Sequence, residues 1–112
     1  MKSIIAFIQP FKEDAVRDAL HTVKGLSGAT FADVRGFGRG RGRSEAAETE
    51  AILGTLPKVR VEIMASDAVA REAVEVIVKA ARTGCPGDGK VYVAPVDSAL
   101  RISTQQTGEA AV

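Results

Sequence analysis

The order of its apolar segments is the feature that most constrains how this chain folds. Residues Ser3–Gln9 form a dense apolar run, short enough for a buried strand, and Pro10 ends it. A helix is expected from about Lys12 to Val23, followed by a second strand from Thr30 to Val34. The first half of the chain therefore predicts the order strand, helix, strand.

The second half repeats that order. A third strand is expected from Pro57, because every second residue from Val59 to Ile63 is apolar. A second helix is expected to begin at a cap formed by Ser66 or Asp67 and to stop at Gly84. The helical residues expected to face the core are Val16, Ala19, Leu20 and Val23 in the first helix and Val69, Ala73, Ile77 and Ala80 in the second.

A fourth strand, Lys90–Val93, completes the pattern. Pro95 is expected to limit its pairing, and a short extended segment is expected at about Ala99–Ile102. The order βαββαβ predicts an α+β protein with a ferredoxin-like fold. The chain has 112 residues, 46% of them hydrophobic and 26% charged, so we expect a single domain, 1–112, with a modest core.

Composition argues against several classes of protein. A formal net charge of +1 gives no general affinity for nucleic acid or anionic membranes. The sequence has no apolar run of the roughly 18 residues that a membrane span needs. Cys85 is the only cysteine and His21 the only histidine, so we expect a reducing, cytoplasmic location and no His/Cys metal site.

The segment Gly84–Lys90 has the Gly-x-x-x-x-Gly-Lys spacing of a phosphate-binding loop. Its glycines let backbone N–H groups converge on an anion, and Lys90 adds a positive charge. Val91 stands where a P-loop carries Ser or Thr, and a strand rather than a helix is expected to follow. The segment therefore favours phosphate binding over P-loop hydrolysis, with a small nucleotide hydrolase or an ordinary glycine-rich turn as alternatives.

The segment Gly36–Leu56 has no convincing helical or strand periodicity, and a loop of this length in a small domain is usually functional or disordered. Glycine and arginine alternate from Gly38 to Arg43, which favours either an anion-binding arm or a solvated flexible loop. Arg35–Gly38 also matches the start of the RNA-recognition signature. The aromatic residues of that signature do not follow, so an RNA-binding module is a weak alternative and no nucleic-acid partner is expected.

Taken together, the motifs resemble the PII signal-transduction proteins of the nitrogen-regulatory type. The matching pieces run in order through the chain: Lys2, Pro10–Lys12, Val34–Arg39, Leu56–Val59, Glu62–Ile63, Thr83–Gly84, Gly87–Lys90, Arg101–Ile102 and Gly108–Val112. The resemblance implies a homotrimer with a nucleotide site between each pair of subunits and no catalytic residues. It also implies a T-loop at about 37–55, which docks on a regulated transporter or enzyme, and a C-terminal tail at about 103–112.

The resemblance also implies which residues bind ligands, with ADP, AMP or ATP as an effector rather than a catalytic cofactor. The implied nucleotide-binding residues are Gly28, Ala29, Thr30, Gly36, Phe37, Gly38, Arg39, Glu62, Ile63, Met64, Gly87, Asp88, Gly89, Lys90 and Arg101. Gly40, Arg41 and Lys58 would bind a small anion or second effector. Arg101 would reach the phosphates from the neighbouring subunit, and Glu62 has an alternative interpretation as a surface partner of Arg60.

Three departures from the family pattern refine the expected ligand. Gly40 replaces the Gln that bridges Mg²⁺ and 2-oxoglutarate, and Ser103 stands where the family has a second C-terminal Arg. The T-loop contains no Tyr, so uridylylation at the usual position cannot occur. The loss of an amide carbonyl and a guanidinium favours ADP or AMP over Mg-ATP with 2-oxoglutarate.

The arginine-rich loop is similar to that of divergent PII-like proteins linked to inorganic-carbon uptake and carboxysomes. This similarity makes bicarbonate a candidate second effector. A PII-like regulator of heavy-metal efflux or of ammonium transport is the alternative, although the loop lacks the histidines typical of the metal branch.

Overall fold

The computed structural model describes residues 1–38 and 45–112. Its elements are β1 (Lys2–Ile8), α1 (Glu13–His21), β2 (Thr30–Gly36), α2 (Glu45–Leu53), β3 (Leu56–Ala65), α3 (Asp67–Ala81) and β4 (Gly89–Pro95), with 3-10 turns at Pro10–Lys12 and Gly108–Ala111. The four strands form one antiparallel sheet in the order β2-β3-β1-β4. The ferredoxin-like fold class predicted from the sequence is confirmed.

The core lies between one face of the sheet and the helices α1 and α3. The strands supply Ile4, Ala6, Ile8, Val59, Val61, Ile63 and Ala65, and the α1 and α3 regions supply Val16, Leu20, Val23, Ala70, Ala73, Ile77 and Ala81. Val69 and Ala80 lie at the edge of this core rather than inside it, as does Ala19. The centre of the buried stripe on α3, Ala73 and Ile77, is as predicted, and at its two ends Ala70 and Ala81 are buried in place of Val69 and Ala80.

The helix α2 was not predicted, because Gly36–Leu56 was expected to be irregular. Its sequence, Glu-Ala-Ala-Glu-Thr-Glu-Ala-Ile-Leu, consists mainly of strong helix formers and contains neither Gly nor Pro. Apolar periodicity is missing because little of this helix packs on the core, and Ile52 is 83% exposed. Gly54, at φ +77°, follows the helix and donates its N–H to the Glu50 carbonyl at 2.7 Å.

The C-terminal part differs from expectation at two points. Pro95 does not shorten β4, since the strand continues to Pro95 itself, opposite Lys2. A proline is tolerated there because β4 is an edge strand and Pro95 is its last residue. The segment expected to be extended at 99–102 contributes only an isolated bridge, in which Leu100 pairs with Thr107.

The opposite face of the sheet carries aromatic side chains. Phe7 and Tyr92 meet edge to face there with ring centroids 6.4 Å apart, and the Arg60 guanidinium lies 5.9 Å from the centre of the Phe7 ring. Tyr92 is 54% exposed. In the part of the chain that the structure describes, no helix combines the length and apolar character that a membrane span requires.

Candidate functional site

A cleft of about 450 Å³ opens where β2 ends, β3 begins and the turn before β4 returns to the sheet. It is lined by Phe7, Val34, Arg35, Gly36, Phe37, Gly38, Lys58, Pro86, Gly87, Gly89, Lys90 and Tyr92. Two strand registers bring these residues together: Gly36 lies opposite Leu56 across β2 and β3, and Phe7 lies opposite Lys90 across β1 and β4. Three cationic residues, Arg35, Lys58 and Lys90, therefore line one cavity.

The turn before β4 relies on glycine conformations. Gly84, Gly87 and Gly89 have φ values of +90°, +96° and +111°, in the left-handed region that side chains disfavour. Gly89 is also in close contact with β1, because a Cβ at this position would lie 1.7 Å from the Phe7 carbonyl oxygen. Glycine at position 89 thus lets the turn lie directly against the first strand.

The carboxylate of Asp88 is bonded within the turn. Its Oδ2 accepts the N–H groups of Thr83 at 2.8 Å and Gly84 at 2.9 Å, and its Oδ1 accepts the Thr83 hydroxyl. The Thr83 hydroxyl bond, followed by the Thr83 backbone bond, holds the pKa of Asp88 below its ordinary value. Asp88 is absent from the lining of the cleft, although its neighbours Gly87 and Gly89 both line it.

The Gly87 carbonyl fixes the other side of the turn. It accepts a hydrogen bond from Gln9 Nε2 at 2.7 Å and one from Lys58 Nζ at 3.5 Å. These bonds connect the turn to the ends of β1 and β3. Gln9 was not among the site residues predicted from the sequence, although a polar residue between a strand end and Pro10 could have suggested a contact at the sheet edge.

The last residue of β2 and the two residues after it reach the same cleft. Gly36, Phe37 and Gly38 all line it, and Phe37 is 67% exposed. The Gly38 N–H donates to Glu50 Oε1 on α2 at 3.3 Å. This bond connects the end of β2, at the cleft, to α2.

A second cavity, of about 600 Å³, gathers another group of predicted residues. It is lined by Ser27, Gly28, Ala29, Thr30, Glu62, Met64, Val96, Ser98, Ala99, Leu100, Ala111 and Val112. Thr30 and Glu62 are opposite each other across β2 and β3. This cavity shares no lining residue with the 450 Å³ cleft, so within one chain the predicted nucleotide residues form two separate groups.

Several predicted residues have a different setting. The Ile63 side chain is buried in the core at 1% exposure, so only its backbone is available to a ligand. Glu62 pairs with Arg60, with 3.4 Å between Oε2 and Nη2, as its alternative interpretation predicted. Arg101 is exposed and lines neither cavity, and its backbone bonds Gln105 and Gln106. Arg39, Gly40 and Arg41 lie outside the described residues.

Comparison with known proteins identifies the family. Residues 1–106 match the family Nitrogen regulatory protein P-II. The chain belongs to the PII family. It is 45% identical over 113 residues to Nitrogen regulatory protein P-II of Cereibacter sphaeroides and 42% identical over 113 residues to that of Haemophilus influenzae, covering all of each chain in both cases. The Rhizobium meliloti (strain 1021) protein of the same name is 45% identical over 109 residues, or 96% of each chain.

Membership of the PII family fixes the general role. PII proteins are non-enzymatic signal-transduction regulators, so this chain is a regulator and the hydrolase alternative is set aside. Proteins of the family are homotrimers that bind adenine nucleotides and regulate partner proteins. In a trimer, the residues lining the cleft of one subunit can meet the residues lining the second cavity of a neighbouring subunit, because both groups lie at the subunit surface.

The bonded carboxylate of Asp88 predicts an acid-dependent contribution to stability. Because its pKa is lower in the folded chain, the contribution is complete above the ordinary Asp pKa of about 3.9 and is lost as the pH falls through the lowered value. We expect the free energy of unfolding, measured in urea, to fall more steeply below about pH 4 for the wild type than for Asp88→Asn. Equal slopes for the two proteins would contradict this assignment.

Proposed function

We propose that the chain senses adenine nucleotides, with ADP or AMP favoured over Mg-ATP with 2-oxoglutarate, and signals to a partner through the T-loop. The observation that carries the proposal is the 450 Å³ cleft, which is lined by glycine backbone and by the cationic residues Arg35, Lys58 and Lys90. Backbone N–H groups and several cations suit the phosphates of a nucleotide. No nucleophile or general base is needed for this role.

The nucleotide would lie between two subunits of a trimer. Among the described residues the two cavities share no lining residue, and in a PII trimer the surfaces of neighbouring subunits meet. In this arrangement one chain supplies the phosphate side at the turn, and a neighbouring subunit supplies further contacts, including Arg101.

The preference for ADP over Mg-ATP rests on two positions. Gly40 offers no side-chain carbonyl for a metal-bound effector, and Ser103 offers no guanidinium to the phosphate tail. A hydrogen bond to a charged group is worth about 1.5–3 kcal/mol, or roughly a tenfold to hundredfold change in affinity. Loss of such a bond at the γ-phosphate side would weaken ATP more than ADP.

Calorimetric titrations of the intact chain test this preference. We expect ADP to bind about tenfold more tightly than Mg-ATP in the presence of 2-oxoglutarate, and Ser103→Arg to reduce that ratio by restoring a cation. A matched control is Ala15→Arg, which adds the same charge at an exposed position of α1 that lines neither cavity. Tighter binding of Mg-ATP with 2-oxoglutarate to the wild type would contradict the preference.

Bicarbonate is the second effector that we propose, in line with the arginine-rich loop and the lost glutamine. A small planar anion could be held beside the phosphates by Lys58, which already lies at the turn. Calorimetry with ADP, with and without bicarbonate at constant ionic strength, tests the idea, and unchanged ADP affinity would refute it.

Identity of 42–45% to nitrogen regulatory P-II proteins favours the alternative, regulation of a nitrogen-related partner such as an ammonium transporter.

A further inference from the structure

Next to the cleft, Thr83 and Asp88 are linked to each other by hydrogen bonds within the turn. Thr83 bonds the Asp88 carboxylate with both its backbone N–H and its hydroxyl, and the hydroxyl also accepts the Cys85 N–H at 3.2 Å. Together with the Gly84 N–H, three donors occupy the two carboxylate oxygens. We propose that Thr83 and Asp88 clamp the turn Gly87–Lys90 in its phosphate-binding shape, and that Asp88 itself does not contact the ligand.

The clamp removes a negative charge from the place where an anion would bind. Asp88 lies between Gly87 and Gly89, which both line the cleft, yet its carboxylate is bonded to Thr83 and Gly84 on the other side of the turn. A carboxylate aimed into the cleft would repel a phosphate and offset the charge of Lys90. Holding it away keeps this negative charge apart from Lys90, which lines the cleft.

The clamp also fixes the backbone before a ligand arrives. It joins Thr83, which follows α3, to Asp88, which precedes β4, so that only residues 84–87 lie between the two bonded residues. Gln9 holds the Gly87 carbonyl from the side of the sheet at 2.7 Å. With the Gly87 carbonyl and the Asp88 side chain both held in this way, less conformational freedom is lost when phosphate binds.

The inference rests on the proposed function, since phosphate is the ligand that the turn would hold. The test compares ADP binding by calorimetry in the full-length wild type, Thr83→Val, Asp88→Asn, the double variant and Thr83→Ser. We expect Thr83→Val and Asp88→Asn each to weaken ADP binding by about fivefold to tenfold, because each breaks a charge-assisted bond of the clamp. The double variant should bind no more weakly than either single one, because both act through the same contact.

Thr83→Ser separates the clamp from a packing effect. Serine keeps the hydroxyl and the backbone N–H, so this variant should retain wild-type affinity. Amide hydrogen exchange gives a readout without ligand: Thr83 and Gly84 amides should exchange faster in Asp88→Asn, while amides of β1 in the sheet centre should not change. Unchanged exchange at Thr83 and Gly84 would overturn the clamp.

The outcomes distinguish the clamp from direct contact by Asp88. If Asp88→Asn loses affinity while Thr83→Val binds as the wild type does, Asp88 touches the ligand and the inference is wrong. Additive losses in the double variant would overturn it as well. A wild-type chain that does not bind ADP would refute the proposed function first, and that result is read from the wild-type titration alone.

Discussion

Substitution of Gly89 by alanine is expected to lower the free energy of unfolding by about 3 kcal/mol or more, from left-handed strain plus overpacking. The φ of Gly89 is +111°, and an added Cβ would lie 1.7 Å from the Phe7 carbonyl oxygen and 2.9 Å from the Phe7 carbonyl carbon. Both neighbours are backbone atoms of the paired strand β1, so no side-chain rotation relieves the overlap. Relief requires β4 to move away from β1 at the Ile8–Gly89 pair.

Two other glycines serve as matched controls for the contributions of strain and overlap. Gly84 has φ +90° but nothing within 4 Å of a built Cβ, so Gly84→Ala carries the strain without the overlap. Gly28 has no positive φ and nothing within 4 Å, so Gly28→Ala carries neither. Urea unfolding should rank the losses Gly89→Ala, Gly84→Ala, Gly28→Ala, from largest to smallest. A loss at Gly89 no larger than that at Gly84 would show that the close approach to Phe7 is not important.

The close contact of Gly89 with β1 also explains why the structure of the turn could be predicted only in part. The glycine spacing indicated phosphate binding, because glycine is needed wherever backbone must turn tightly or approach closely. It did not indicate which glycine lies against β1, since that depends on the pairing of Ile8 with Gly89. The hydrogen bonds between Asp88 and Thr83 were not predicted for a related reason: Thr83 precedes Asp88 by five residues across a turn, a spacing that belongs to no common capping or turn pattern.

The elements of the core were predictable because their residues repeat with the period of a helix or a strand against one buried surface. This holds for β3 and α3, whose buried residues alternate or recur at helical spacing, whereas β1 was predicted from its continuous apolar run. It fails for α2, where Ile52 and Leu53 are both exposed and no core imposes a period. The high intrinsic helix propensity of Glu45–Leu53 was the remaining signal for this helix.

The division of the predicted site into two cavities could not be derived from the sequence. Motifs give the order of residues along the chain, whereas the strand register decides that Gly36 and Lys90 reach one cleft and that Thr30 and Glu62 reach the other. The register itself depends on which faces of the strands are buried. A site shared between subunits is therefore an inference from structure and family together.

Replacement of Lys90 by glutamine is expected to weaken ADP binding by about tenfold to hundredfold, the range for losing a charge-assisted bond to phosphate. Lys90 lines the cleft and follows Gly89, so its side chain is the cation closest in sequence to the turn backbone. It is exposed, so the free energy of unfolding should change little. Calorimetry with ADP and denaturation in urea measure the two effects separately.

Lys79→Gln is the control that tests whether the loss of ADP affinity in Lys90→Gln is specific to the turn. Lys79 is exposed in the last turn of α3 and does not line the cleft, yet its replacement removes the same charge from the molecule. A general electrostatic attraction of the chain for anions would be weakened equally by both variants, and more so at low salt. Localised binding at the turn requires a loss in Lys90→Gln alone, whereas similar affinities in the two variants would remove the turn from the proposed site.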